Sequence, residues 1–167
     1  AASDVYKRQP PYHVPALSVA PGKRFIPCYS PGELEERQLA GVRWTLAHAL
    51  TGSPQYRAKL GDAHPGDIRT LDDVRKLPFT TTEDLRAGYP LPLLSVPDTE
   101  VLRVHASSGT TGKRKVLAYT RNDIDTFAFQ MARCYELAGL TPADRMQVAV
   151  GYGLWTAGAG FQLGCEK

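Results

Sequence analysis

Apolar positions along this chain switch between two periods. From Ser30 onward, Leu39, Val42, Leu46, Ala49 and Leu50 recur at helical spacing. Ser30-Pro31 with Glu33 three residues after the serine forms a capping box, and Thr51-Gly52 ends the helix. Ser53-Pro54 opens a second, short helix through about Leu60. Residues 61–69 read as a polar loop. Two short helical pieces follow, one capped by Thr70 and stopped at Pro78, the other capped by Thr81 and stopped at Gly88-Tyr89-Pro90. The period then falls to two. Leu102, Val104 and Ala106 share one face of a strand, and Arg103 and His105 share the polar one. A small-residue loop separates this strand from a second, Lys115 to Tyr119. Thr120 and Asp123 open a long helix striped by Ile124, Phe127, Ala128, Met131, Tyr135 and Ala138, which Gly139 closes. Met146, Val148 and Val150 alternate as a third strand, and a glycine-rich loop beginning at Gly151 leads into a starting helix.

Strand, helix and strand joined by a crossover predict an α/β layered fold. Residues 1–29 read as a tail and an extended, proline-rich arm; residues 30–167 read as one partial N-terminal domain. The abrupt stop after Gly151–Lys167 implies truncation, with the remaining half and a small C-terminal domain lying elsewhere. Residues 1–9 lack any hydrophobic period and are left out of the functional reading.

Composition changes the picture little. With 20 basic and 17 acidic residues the net charge is +3, spread along the chain, which argues against a nucleic-acid partner. No apolar run is long enough for a membrane span. Cys28, Cys134 and Cys165 are too few and too scattered for a disulfide framework or a zinc site, which fits a reducing, cytoplasmic setting. Cys134, beside the apolar stripe of the long helix, reads as a packing residue. His13, His48 and His64 lie in unrelated contexts, so no metal site is expected from them.

The segment that carries chemistry is Ser107-Ser108-Gly109-Thr110-Thr111-Gly112-Lys113-Arg114-Lys115. Glycines let backbone approach a ligand closely, successive N–H groups form an anion-binding concavity, and four hydroxyls can donate to phosphate oxygens. Lys113 and Lys115 add positive charge. The spacing is not that of a Walker A loop, which has four residues between its glycines and opens a helix. The plainer alternative is a Gly/Ser/Thr-rich hairpin turn.

Three stretches together resemble the adenylate-forming superfamily, most closely its phenylacetate–CoA ligases and related aryl-CoA ligases. They are Leu77 to Leu85 (LPFTTTEDL), His105 to Lys113 (HASSGTTGK) with Tyr119 to Ile124 (YTRNDI), and Gly151 to Gly158 (GYGLWTAG). Arg114 stands where the family commonly has proline. The resemblance implies an ATP-dependent, AMP-forming acid–thiol ligase. A phenylacetate-type aromatic carboxylate attacks the α-phosphate of ATP, and coenzyme A then displaces AMP to give the thioester. It implies ATP, Mg²⁺ and coenzyme A as the accompanying groups, with small molecules as the partners; a homodimer is compatible with it. Ser107, Ser108, Gly109, Thr110, Thr111, Gly112 and Lys113, with Lys115 as a weaker member, are implied to hold the β- and γ-phosphates. Val150, Tyr152, Gly153 and Trp155 are implied to line the acid pocket, where Tyr152 and Trp155 as ordinary core aromatics are the alternative. The catalytic residues are expected outside this chain, so the chain alone is expected to be inactive. Two other readings stay open: an adenylating enzyme with a non-CoA acceptor, and a non-catalytic nucleotide-binding or interaction module. His105 is expected to be a structural, hydrogen-bonding histidine rather than a ligand contact.

Overall fold

The computed structural model describes residues 18–107 and 114–167. Helix α1 spans Pro31–Gly52. The Ser30 hydroxyl accepts the Glu33 N–H at 3.3 Å, and the Glu33 carboxylate accepts the Ser30 N–H at 2.8 Å. Two donors that the first turn would leave orphaned are thereby satisfied. At the other end the Ser53 N–H donates to the Ala49 carbonyl, and the Ser53 hydroxyl then caps α2 (Pro54–Leu60). Arg57 of α2 reaches back to donate to the Leu50 and Thr51 carbonyls at 3.0 and 2.9 Å. One buried serine and one arginine thus join two helices by their ends.

Short 3₁₀ turns at Pro65–Asp67 and Leu71–Lys76 pack along α1, followed by α3 (Thr82–Ala87). Between the two turns, Ile68 is 2% exposed and its carbonyl accepts from Arg43 Nε at 2.7 Å. The predicted polar loop therefore contains a core residue, which a lone isoleucine among polar neighbours does not announce. Thr81 caps α3, and the Asp84 carboxylate completes its capping box and pairs with Lys59 of α2 at 2.6 Å. The Lys59 ammonium, then the Thr81 N–H and hydroxyl, lower the Asp84 pKa to about 2.

Strands β1 (Arg103–Ala106) and β2 (Val116–Tyr119) form an antiparallel pair in which Arg103 faces Tyr119 and Ala106 faces Val116. Thr120 and Asp123 then cap α4 (Arg121–Leu137) as the pattern predicts, and Gly139, at φ +90°, ends it. Ile124, Ala128 and Ala132 are the buried residues of α4. Cys134 is exposed, so its expected packing role does not hold. Helix α5 (Thr156–Glu166) lies against α4 so closely that a Cβ on Gly160 would collide with the Phe127 ring, and one on Gly164 with Met131. Tyr135 adds a hydrogen bond to the Phe161 carbonyl at 3.0 Å.

The expected third strand is a correction. Met146 to Val150 keep the inward–outward alternation, with Met146, Val148 and Val150 half-buried, but this stretch pairs with no strand of the described residues. Alternation supplies a face; a strand also needs a neighbouring ladder, which is not a local property. The described part of the arm is tied down. Glu136 accepts the N–H groups of Arg24, Phe25 and Ile26 at 2.8, 2.8 and 3.1 Å. Burial opposes ionisation of Glu136, but these three donors outweigh it and lower its pKa. Among the described residues no helix is long and apolar enough to cross a membrane.

Candidate functional site

The antiparallel pair ends in a neck one residue beyond each strand. The Ser107 N–H donates to the Lys115 carbonyl at 3.0 Å, and the Lys115 N–H donates to the Ser107 hydroxyl oxygen at 3.0 Å. Ser107 therefore uses its amide and one lone pair to close the neck, while among the described residues its hydroxyl proton has no acceptor. Ser108, Gly109, Thr110, Thr111, Gly112 and Lys113, the rest of the expected phosphate-binding set, lie outside the described residues. Arg114 is exposed and Lys115 is half-buried.

The second predicted segment arrives at the same place. The Ala106 N–H points away from β2 and donates to the Leu154 carbonyl at 2.7 Å. This bond sets the Gly151 loop against the last residue of β1, next to the neck. Tyr152 and Trp155 are 45% and 53% exposed, so neither is a core aromatic of the described residues. Val150 is half-buried. Gly153 faces open space. Gly158 meets its own loop: a Cβ there would lie 2.9 Å from the Gly151 carbonyl oxygen and 3.1 Å from the Tyr152 Cα. A side chain at 158 would push the loop off the first turn of α5. The structure thus brings Ser107, Lys115 and the Val150–Trp155 stretch to one end of the strand pair.

His105 departs from expectation. It is 4% exposed, packs edge-on to Tyr119 at 4.8 Å, and among the described residues has no hydrogen-bond partner on either ring nitrogen. Leu102 and Val104, the expected inner face, are substantially exposed. Ala106 of the same face is buried as expected, so the sense is inverted at Leu102 and Val104 and not along the whole strand. The face bearing Arg103 and His105 also carries Tyr119, whose ring lies 6.5 Å from Phe127 of α4, so this is the face turned toward the helix. Burial, then the nearby Arg103 charge, lowers the His105 pKa. Among the described residues no three His, Cys, Asp or Glu side chains are grouped to hold a metal ion.

No family model matches the chain. Curated relatives do. The chain is 49% identical over 137 residues to the phenylacetate-coenzyme A ligase of Escherichia coli (strain K12), a match covering 81% of this chain and 31% of that protein. It is 46% identical over 136 residues to the phenylacetate-coenzyme A ligase of Pseudomonas putida, covering 80% and 31%. Among solved structures, an open conformation of 2-hydroxyisobutyryl-CoA ligase in complex with 2-HIB-AMP and CoA superposes with a TM-score of 0.73 at 26% identity. That match covers 81% of this chain and 33% of that one. The chain therefore spans about 31% of the length of the curated relatives it matches. In sequence the chain is similar to phenylacetate-coenzyme A ligases, and in fold to a 2-hydroxyisobutyryl-CoA ligase, over about a third of each.

Proposed function

We propose that this chain supplies the polyphosphate loop and part of the acid pocket of an ATP-dependent, AMP-forming ligase acting on an aromatic carboxylic acid. The observation that carries the reading is the Ala106–Leu154 hydrogen bond. It joins the neck of a glycine- and hydroxyl-rich loop to a loop presenting two exposed aromatic faces. An acyl-adenylate needs such a junction, because the carboxylate of one substrate must reach the α-phosphate of the other.

In the first step a carboxylate oxygen bonds to the α-phosphorus and pyrophosphate leaves. Negative charge spreads over the phosphoryl oxygens, where hydroxyl donors fixed in place stabilise it with little reorganisation. Ser107 is suited to this, since its position is set by the neck and its proton is uncommitted among the described residues. Ser108 through Lys113 complete the phosphate set, and Lys115 adds charge at the neck. Mg²⁺, were it to accompany the polyphosphate held by this loop, would share its charge. Val150 and Gly153 shape the acid site, while Tyr152 and Trp155 offer flat faces to an aryl ring. In the second step the coenzyme A thiolate attacks the acyl carbon and AMP leaves. Three exposed, unbridged cysteines suit a reducing, cytoplasmic setting.

The test is pyrophosphate release by the full gene product containing this chain, screened against aryl and aliphatic carboxylic acids with ATP. Aryl acids, phenylacetate among them, are expected to be the substrates. Absence of release with every acid rejects the ligase reading. Gly109→Val abolishes release by obstructing phosphate approach. Trp155→Ala raises KM for aryl acids about tenfold and KM for ATP far less; equal effects remove Trp155 from the acid pocket.

A further inference from the structure

Arg103 and His105 sit two positions apart on β1, so their side chains leave the same face of the strand. Arg103 Nη1 and both ring nitrogens of His105 are out of contact with water, and none has a hydrogen-bond partner among the described residues. No ion pair among the described residues includes Arg103. A desolvated guanidinium nitrogen without a counter-charge is costly, and a buried imidazole without partners adds to that cost. With its pKa lowered by burial and by the Arg103 charge, His105 is neutral and offers one N–H and one lone pair.

One chemical group answers both residues. A carboxylate can accept from the guanidinium fork with one oxygen and from the imidazole N–H with the other. A neutral amide or alcohol would leave the Arg103 charge unmatched, and a cation would be repelled. We propose that Arg103 and His105 form a receptor for one carboxylate on the helix-facing side of the strand pair. The carboxylate has two sources: a free carboxylic acid, or an Asp or Glu side chain from the part of a ligase-length protein that the match does not cover. The receptor does not rest on the ligase reading, because the three nitrogens lack partners among the described residues whatever reaction the protein performs.

Two measurements test the receptor and separate the sources. In the first, phenylacetate and acetate are titrated into the 167-residue chain while the His105 ring resonances are followed. A saturable shift, weakened about tenfold or more by Arg103→Met, establishes the receptor with a free acid as its occupant. In the second, thermal unfolding of Arg103→Met is compared in the chain and in the full gene product. The side-chain source gives no saturable shift in the chain. Instead Arg103→Met lowers the melting temperature of the full product by about 5 °C or more and leaves that of the chain unchanged or raised. His105→Gln retains more of either effect than His105→Phe. If Arg103→Met does not fold, Arg103→Lys, which keeps the charge and loses the fork, replaces it. No saturable shift together with equal melting changes in chain and full product overturns the proposal.

Discussion

Two pairs of helices in this chain are fastened by opposite means. Helices α4 and α5 meet along a seam of glycines, where Gly160 and Gly164 leave no room for a β-carbon against Phe127 and Met131. Helices α1 and α2 are joined at their ends by Ser53 and Arg57, and their flanks bound an open apolar groove of about 720 Å³ lined by Val42, Leu46, Tyr56, Leu60, Leu71 and Leu77. The first pair is held by shape, the second by polar contacts at the tips. Both candidate site segments are attached to the first. Leu154 lies two residues before α5, and Tyr119, on the strand paired with Ala106, packs toward α4. The difference teaches where the site takes its precision: from the glycine seam, with the α1 region fastened separately.

Substitutions can break that comparison. Gly164→Leu inserts a side chain where Met131 already stands, and is expected to cost about 1–3 kcal/mol in urea unfolding. A variant as stable as the parent would mean the seam is not close-packed. Tyr135→Phe keeps the ring and removes the bond to the Phe161 carbonyl; about 1 kcal/mol is expected in the same assay.

The α1 region should answer to pH instead. The Asp84 pKa is lowered from 3.8 to about 2, so its stabilising contribution is fully present above the unfolded value and is lost as pH falls through the folded one. The melting temperature of the parent should exceed that of Asp84→Asn above about pH 4, and the gap should close toward about pH 2. A gap independent of pH would show that the carboxylate charge is not what fastens α3 to α2. The smallest effect is expected at Phe79, which is 89% exposed: Phe79→Ser should stay within about 0.5 kcal/mol.

Local chemistry was readable from the residues alone. The boxes at Ser30, Thr81 and Thr120 form as their sequences imply, because a cap is decided within four residues. The two strands were readable from alternation. Which of their faces is buried was not, because period two separates Arg103 and His105 from Leu102 and Val104 without saying where the helix lies. The same limit explains Met146 to Val150, where the pattern of a strand is present and its ladder is not. Ile68 carried no periodic signal at all. At the site, the meeting of Ser107 and the Gly151 loop depends on a bond between residues 106 and 154, which no window of sequence contains.

The Ala106 amide has one more use. It is a strand-edge N–H that Leu154 shields from solvent. Its deuterium uptake therefore meters, at one position, how often the aromatic loop lifts away from the strand. Slower uptake in the presence of nucleotide or an aryl acid would record the two halves of the site closing on a shared occupant.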